Sequence, residues 1–364
     1  MGRSFKGCKR MKIALAGLAS SGKTTLFNAV TGMHAASGFG AGKTAFNLGQ
    51  VKIPDERLDK LAAIWKSRKI THATIDLVDL PGFVRGADAV KGNTAILGEM
   101  READGIALVV RAFESANVLH PLNTVNPQRD LAELLSDFTV ADLDALEKRV
   151  EKLRVSVTKP TPKVAQDKRE LALLEKLLAH SETTNSLAGV ELAEEEEKII
   201  SSFQFLTRKP VLVVVNCSEG QLANPPALGT ELTALAVAAE VESEIAGLEP
   251  LERAEFLREM GLAEAAATRF IHSIFKMTGS ITFLTVGEQE ARAWIIRSGA
   301  TAIEAAGKIH SDIARGFIRA EVYKGEDLIQ AGDMKTVKAQ GKQLLHGKEY
   351  VVEEGDVLNI RFNV

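Results

Sequence analysis

The chain has 364 residues, a length that accommodates two or three domains and a sizeable buried core. Its formal net charge is −3, so no global basic balance marks it for nucleic acid. Cys8 and Cys217 are the only cysteines; two distant thiols make neither a disulfide framework nor a zinc site, which fits a reducing cytosol, and no run approaches the ~18–20 apolar residues of a membrane span.

The N-terminus reads MGRSFKGCKRMK followed by IALAGLAS, basic and then apolar in the manner of a signal peptide. The apolar run is too short for that role and Lys23 follows at once, so a buried strand over Ile13–Ala16 is expected, with Met11 as a candidate natural start. The strand runs into Gly17-Leu-Ala-Ser-Ser-Gly22-Lys23-Thr24, and Thr25–Val30 carry helix-compatible spacing. Strand, GxxxxGK[ST] and helix together form a P-loop in the context that confirms it. The glycines let successive backbone N–H groups turn inward around phosphate oxygens, and the helix N-terminus adds partial positive charge. Lys23 is expected to reach the β- and γ-phosphates and Thr24 to hold Mg2+, with Gly17, Ser20, Ser21, Gly22 and Thr25 completing the cradle.

Gly38-Phe-Gly-Ala-Gly42-Lys43-Thr44 looks like a second P-loop, but Ser37 stands at the first position of the pattern and no apolar strand precedes it. It is expected to be a flexible first switch. Lys43 and Thr44 are alternatives for the residue facing the nucleotide, and Thr44 is the candidate metal ligand. A strand from near Thr74 ends in Asp76-Leu-Val-Asp79-Leu-Pro-Gly82. DxxG at a strand end suits a γ-phosphate sensor: Asp79 orients a Mg2+-bound water and the Gly82 N–H contacts the γ-phosphate.

Residues 11–129 alternate apolar strands with helical patterns, as a parallel α/β sheet requires. Strand character is lost over 130–204. Leu143, Leu146, Val150, Leu153 and Val157 repeat at steps of three and four, and Val164, Leu171, Leu174 and Leu178 continue beyond a Lys159-Pro160-Thr161-Pro162 break. Two helices packed as an antiparallel coiled coil are expected. Glu194–Glu197 is expected to be a solvated face or loop.

Strands resume at Val211–Val215 and Leu232–Val237, so the helical segment interrupts one domain. Val215 leads into Asn216-Cys217-Ser218-Glu219 where a guanine-specific NTPase has NKxD. Glu219 is one methylene longer than Asp, which spoils a bidentate contact of fixed geometry, and Cys217 lacks the lysine stem that covers the base. After Gly279, short strands at Ile281–Val286, Phe317–Tyr323, Glu349–Val352 and Val357–Phe362 are separated by turns such as Glu354-Gly355-Asp356, giving a small mixed-sheet domain over 280–364.

With GLASSGKTTLFNAVTG, DLVDLPGFVRGA, READGIALVVRAF, the NxxE variant, ITFLTVGEQEARAWIIRSGATAIEAAGKIHSDIARGFIRAEV and GKEYVVEEGDVLNIRFNV in view, the chain resembles the YchF-type Obg-like ATPases over nearly its whole length. The resemblance implies a P-loop G domain over 11–129 and 205–279, an inserted helical coiled coil over 130–204, and a C-terminal TGS domain of β-grasp form over 280–364. It implies ATP binding in place of strict GTP use, carried by Asn216 and Glu219, with Mg2+ as cofactor and GTP as the alternative nucleotide. It places an apolar residue, Phe83, where other switch NTPases have a water-orienting Gln, and gives His120 as a loop histidine assisting catalysis; Gly82 of the DxxG motif is the other candidate catalytic residue. The implied protein is a slow cytoplasmic switch ATPase, monomeric and without membrane association, that meets ribosome or RNA through its TGS domain. The alternative is a catalytically weak nucleotide-binding scaffold. Ala19, Ser20 and Ser21 in the P-loop, the altered first switch, and Ala238 in place of a base-supporting Ser depart from the family pattern and point to a divergent paralogue.

Overall fold

The structure is a computed structural model that describes residues 10–35, 46–84, 89–259 and 264–363. The chain divides into two compact units: Lys12–Gly49 with Leu77–Phe270, and Met1–Met11 with Gln50–Asp76 and Ile271–Val364.

The first half is a succession of strands and crossovers. β1 (Met11–Ala16) leads through the P-loop to α1 (Lys23–Thr31), then β2 (Asn47–Lys52), α2 (Glu56–Trp65), β3 (Lys69–Thr71), β4 (Thr74–Asp79), α3 (Ala89–Glu102) and β5 (Gly105–Arg111). Helices α4 (Pro127–Ser156), α5 (Val164–Thr184) and α6 (Glu194–Ile200) follow. Then come β6 (Val211–Asn216), β7 (Thr233–Val237), α7 (Ala239–Ala246), α8 (Pro250–Glu259) and α9 (Ala266–Thr278). The first sheet has the order β2-β4-β1-β5-β6-β7, with β1, β5, β6 and β7 parallel. Ile13–Ala16 and every residue of β5 are buried, as strands covered on both faces require. Leu18, Val78, Leu108, Leu134 and Val215 share one apolar core beneath the strand ends.

The helical insert forms its own core. Ser156 bonds Asp167 beside the turn and Thr139 bonds the Asn185 carbonyl at the far end, so α4 and α5 run antiparallel. Leu146, Val150 and Leu153 face Leu173, Leu174 and Leu177, whereas Leu171 and Leu178 are only partly buried at the edge of the seam. Glu194–Glu197 form the first turn of α6, where Glu196 accepts the Ala193 N–H and four acids meet the positive end of the helix.

The remaining elements are β8 (Ser280–Thr285), β9 (Glu290–Arg297), α10 (Ala302–Ile309), α11 (Ser311–Arg315), β10 (Phe317–Lys324), α12 (Gly325–Ala331), α13 (Met334–Ala339), β11 (Leu344–His346) and β12 (Asp356–Phe362). They make a mixed sheet of order β11-β10-β12-β8-β9-β3. Phe283, Trp294, Ala302, Ala305, Val322 and Leu358 meet in its core. Its outermost strand, β3, comes from the segment between β2 and β4 and lies parallel to β9. That grouping has no counterpart in the sequence reading.

One expected strand is absent. Of Glu349–Val352, only Val351 bridges, to Thr301. The segment serves instead to enclose Asp356, whose buried carboxylate accepts from the Tyr350 hydroxyl, the Glu353 N–H and the Lys324 ammonium. Hydrogen bonding of a buried charge outweighs the β-branched pair Val351-Val352. The strand pairing with β10 at that edge is β11, which lacks a strong sequence signal.

Candidate functional site

The P-loop follows from its residues. Gly22 caps α1 in a left-handed conformation, φ 90°, and a Cβ there would run into the Asn216 amide. Ser20 takes φ 60° without being glycine, a strain of about 1–3 kcal/mol held by the surrounding turn. The Ser21 hydroxyl is buried without a partner.

Lys23 is 6% exposed and its Nζ donates to the Leu18 carbonyl at 2.7 Å. Burial pulls its pKa down to about 8, with Asp79 pulling the other way. Thr24 Oγ1 donates to Asp79 Oδ2 at 2.9 Å. The same carboxylate oxygen accepts from Asn47 Nδ2 at 3.0 Å, while Oδ1 is buried with no partner. An ammonium, a hydroxyl and a half-satisfied carboxylate therefore converge at the start of α1. Asn47 is the member that sequence reasoning missed; its only signal is a polar residue heading β2 just beyond the first switch. Lys43 and Thr44 lie outside the described residues.

The DxxG segment is laid along the P-loop. The Leu80 N–H bonds the Leu15 carbonyl and the Phe83 N–H bonds the Gly17 carbonyl, at 3.0 and 3.1 Å. A Cβ at Gly82 would lie 2.5 Å from the Ala19 Cα, so the two loops can touch only with glycine here. Phe83 is 2% exposed and belongs to the core, so its ring is a packing element.

At the far ends of β5 and β6, Asn216 is 4% exposed. Its Nδ2 donates to the Ser21 carbonyl and its Oδ1 accepts the Ala239 N–H, both at 3.0 Å, which braces the P-loop against the loop after β7. Cys217 is buried, with Sγ directed to the Val215 carbonyl, and burial raises its thiol pKa. Glu219 is exposed on a short turn closed by Ser218 and Gln221. Ala238 is buried at the N-terminus of α7.

His120 is buried on the loop before α4. Its Nδ1 accepts the Leu122 N–H at 3.1 Å, which leaves the proton on Nε2 to be donated to Asp130 at 2.8 Å. Both ring nitrogens are thus engaged. Arg129 bonds the other Asp130 oxygen. Among the described residues no three His, Cys, Asp or Glu gather as a metal cage, and Thr24 and Asp79 are the described side chains that could hold a cation at this site.

Comparison with known proteins bears on the family and the fold. Residues 12–148 match the family MMR_HSR1, described as a 50S ribosome-binding GTPase, and residues 280–363 match YchF-GTPase_C, described as a protein of unknown function. The chain is 39% identical over 364 residues to the ribosome-binding ATPase YchF of Escherichia coli O157:H7, covering 97% of this chain and 99% of that protein. It is 38% identical over 368 residues to the ribosome-binding ATPase YchF of Bacillus subtilis, covering 96% and 98%. The structure of the Schizosaccharomyces pombe YchF GTPase superposes with a TM-score of 0.78 at 27% identity, covering 97% of this chain and 98% of that one. On this full-length similarity and on the P-loop that underlies it, the chain belongs to the YchF family.

Proposed function

We propose that the protein is a nucleotide-dependent switch that hydrolyses ATP, with GTP as a second substrate, and acts at the ribosome. The observation that carries this reading is the convergence of Lys23, Thr24 and Asp79 on one point, with Asp79 Oδ1 and Ser21 Oγ buried and unpartnered. Buried polar atoms without partners fit a site that receives a polar ligand. Backbone N–H groups of Gly22, Lys23, Thr24 and Thr25 cradle the phosphates, and Lys23 exchanges the Leu18 carbonyl for a phosphate oxygen. Thr24 and Asp79 fit Mg2+, with Thr44 as a further candidate ligand; the ion, when bound, offsets phosphate charge. The Gly82 N–H reads the γ-phosphate from the loop laid against Ala19.

Asn216 and Glu219 are assigned to the base side, Asn216 by bracing the P-loop and Glu219 from the exposed turn. His120 assists hydrolysis only after its bonds to Leu122 and Asp130 are broken. Turnover without an activator is therefore expected to be slow. The burial of Phe83 favours the scaffold as the second reading, since no water-orienting group stands there.

The assigned plan is a G domain over 11–129 and 205–279, a helical insert over 130–204 and a TGS domain over 280–364. The TGS domain is assigned the contact with ribosome or RNA, in a cytoplasmic monomer. No described helix is long and apolar enough to cross a membrane. Phosphate release with and without ribosomes tests the reading. Mg2+-dependent turnover that rises on ribosome addition supports the switch, and an undetectable rate in both conditions leaves the scaffold.

A further inference from the structure

Arg111 is the last residue of β5 and lies in register with Asn216, the last of β6. It is 2% exposed. Nε donates to the Phe113 carbonyl and Nη2 to the Val118 carbonyl, each at 3.0 Å, while Nη1 is buried with no partner. A buried guanidinium held by carbonyls is costly, so its retention calls for a geometric reason. Burial lowers its pKa and Glu114 opposes that shift, but an arginine keeps its proton.

The geometry supplies the reason. The guanidinium carbon lies 4.5 Å from the Phe113 ring centroid, so the planar group backs the ring. On the P-loop side, a Cβ at Gly22 would sit 3.9 Å from Phe113 Cε1. On the other side, the Ala112 N–H bonds the Asn216 carbonyl at 2.8 Å and the Ala112 carbonyl accepts Gln221 Nε2 at 3.2 Å. The Val118 bond restrains the same loop two residues before His120.

We propose that Arg111 is a positioning residue of the nucleotide site: it clamps the Ala112–Val118 loop and sets the Phe113 ring beside Gly22. Nucleotide affinity then depends on a side chain that touches no phosphate. Only the flat fork of arginine makes two carbonyl bonds while backing a ring; lysine keeps the charge and loses the clamp. The inference rests on the nucleotide-binding reading above.

Titration of the full chain with a fluorescent ATP analogue, alongside thermal melting and steady-state turnover, tests it in Arg111→Lys, Phe113→Leu and the double variant. Arg111→Lys is expected to melt cooperatively and to weaken binding about tenfold, raising KM with kcat within about twofold. Phe113→Leu should lose a similar factor, and the double variant about as much as the worse single, because the two act as one unit. Binding by Arg111→Lys within about twofold of wild type, or losses that multiply in the double variant, overturns the proposal. If Arg111→Lys does not fold, Phe113→Leu decides alone: unchanged affinity in that variant overturns it. Failure of the wild-type chain to bind nucleotide overturns the nucleotide-binding reading, and this one with it.

Discussion

Lys23 resting on the Leu18 carbonyl shows how one residue prepares a phosphate site: the ammonium is held inside by a neutral acceptor that an anion displaces. Lys23→Ala is expected to abolish nucleotide binding, read by fluorescent-nucleotide titration, and binding at wild-type strength would move the phosphate site elsewhere. On the base side, Glu219 is exposed and Cys217 is turned into the core, so neither builds a guanine clamp of fixed geometry. ATP is expected to bind at least as tightly as GTP in calorimetric titration; a GTP preference of about tenfold, ~1.4 kcal/mol, contradicts this. Lys23, Thr24 and Asp79 were legible in the sequence because their motifs encode short-range backbone geometry. Asn47 and Arg111 were not, because each reaches its partners only once the chain has folded into strands.

At the scale of elements, Asp142 ties the helical insert to the chain returning to β6. It is 1% exposed and accepts the Leu206 and Thr207 N–H groups and the Thr207 hydroxyl, with Arg101 at 3.1 Å. Asp142→Ala leaves these donors and a cation unpaired and should cost about 3–5 kcal/mol in urea unfolding. In the other unit, Arg361 and then Asn359 hold the Glu321 carboxyl below its usual pKa, against burial. A lowered folded pKa stabilises above the unfolded value of about 4.3 and is lost as pH falls through the folded one. The melting temperature of Glu321→Gln should therefore trail wild type at pH 7, and the gap should close as pH falls from the unfolded value through the lower folded one. The α4–α5 pair was legible from its three-four spacing, whereas β3 and β11 were not, since three-residue strands carry no periodicity of their own.

At the scale of the whole molecule, the unit that carries the C-terminal sheet is discontinuous, since residues 50–76 supply its edge strand and α2, which buries Leu58, Leu61 and Ala62. A chain ending at Thr278 is expected to keep nucleotide binding, because the P-loop and its core precede that point, and to lose ribosome co-sedimentation. It should also bind an apolar-surface dye more strongly than the full chain, because α2 and β3 lose β9 and α12 as neighbours. Unchanged dye binding would mean that 50–76 packs independently. The bond from Thr71 to Glu290 spans 219 residues of sequence. During synthesis, then, the 50–76 segment emerges early and must wait for β9, whose Glu290 lies 219 residues beyond Thr71, before its partner strand exists. Its apolar helix face and open strand edge are exposed to chaperones and proteases for most of translation, and the fold closes from the end made last.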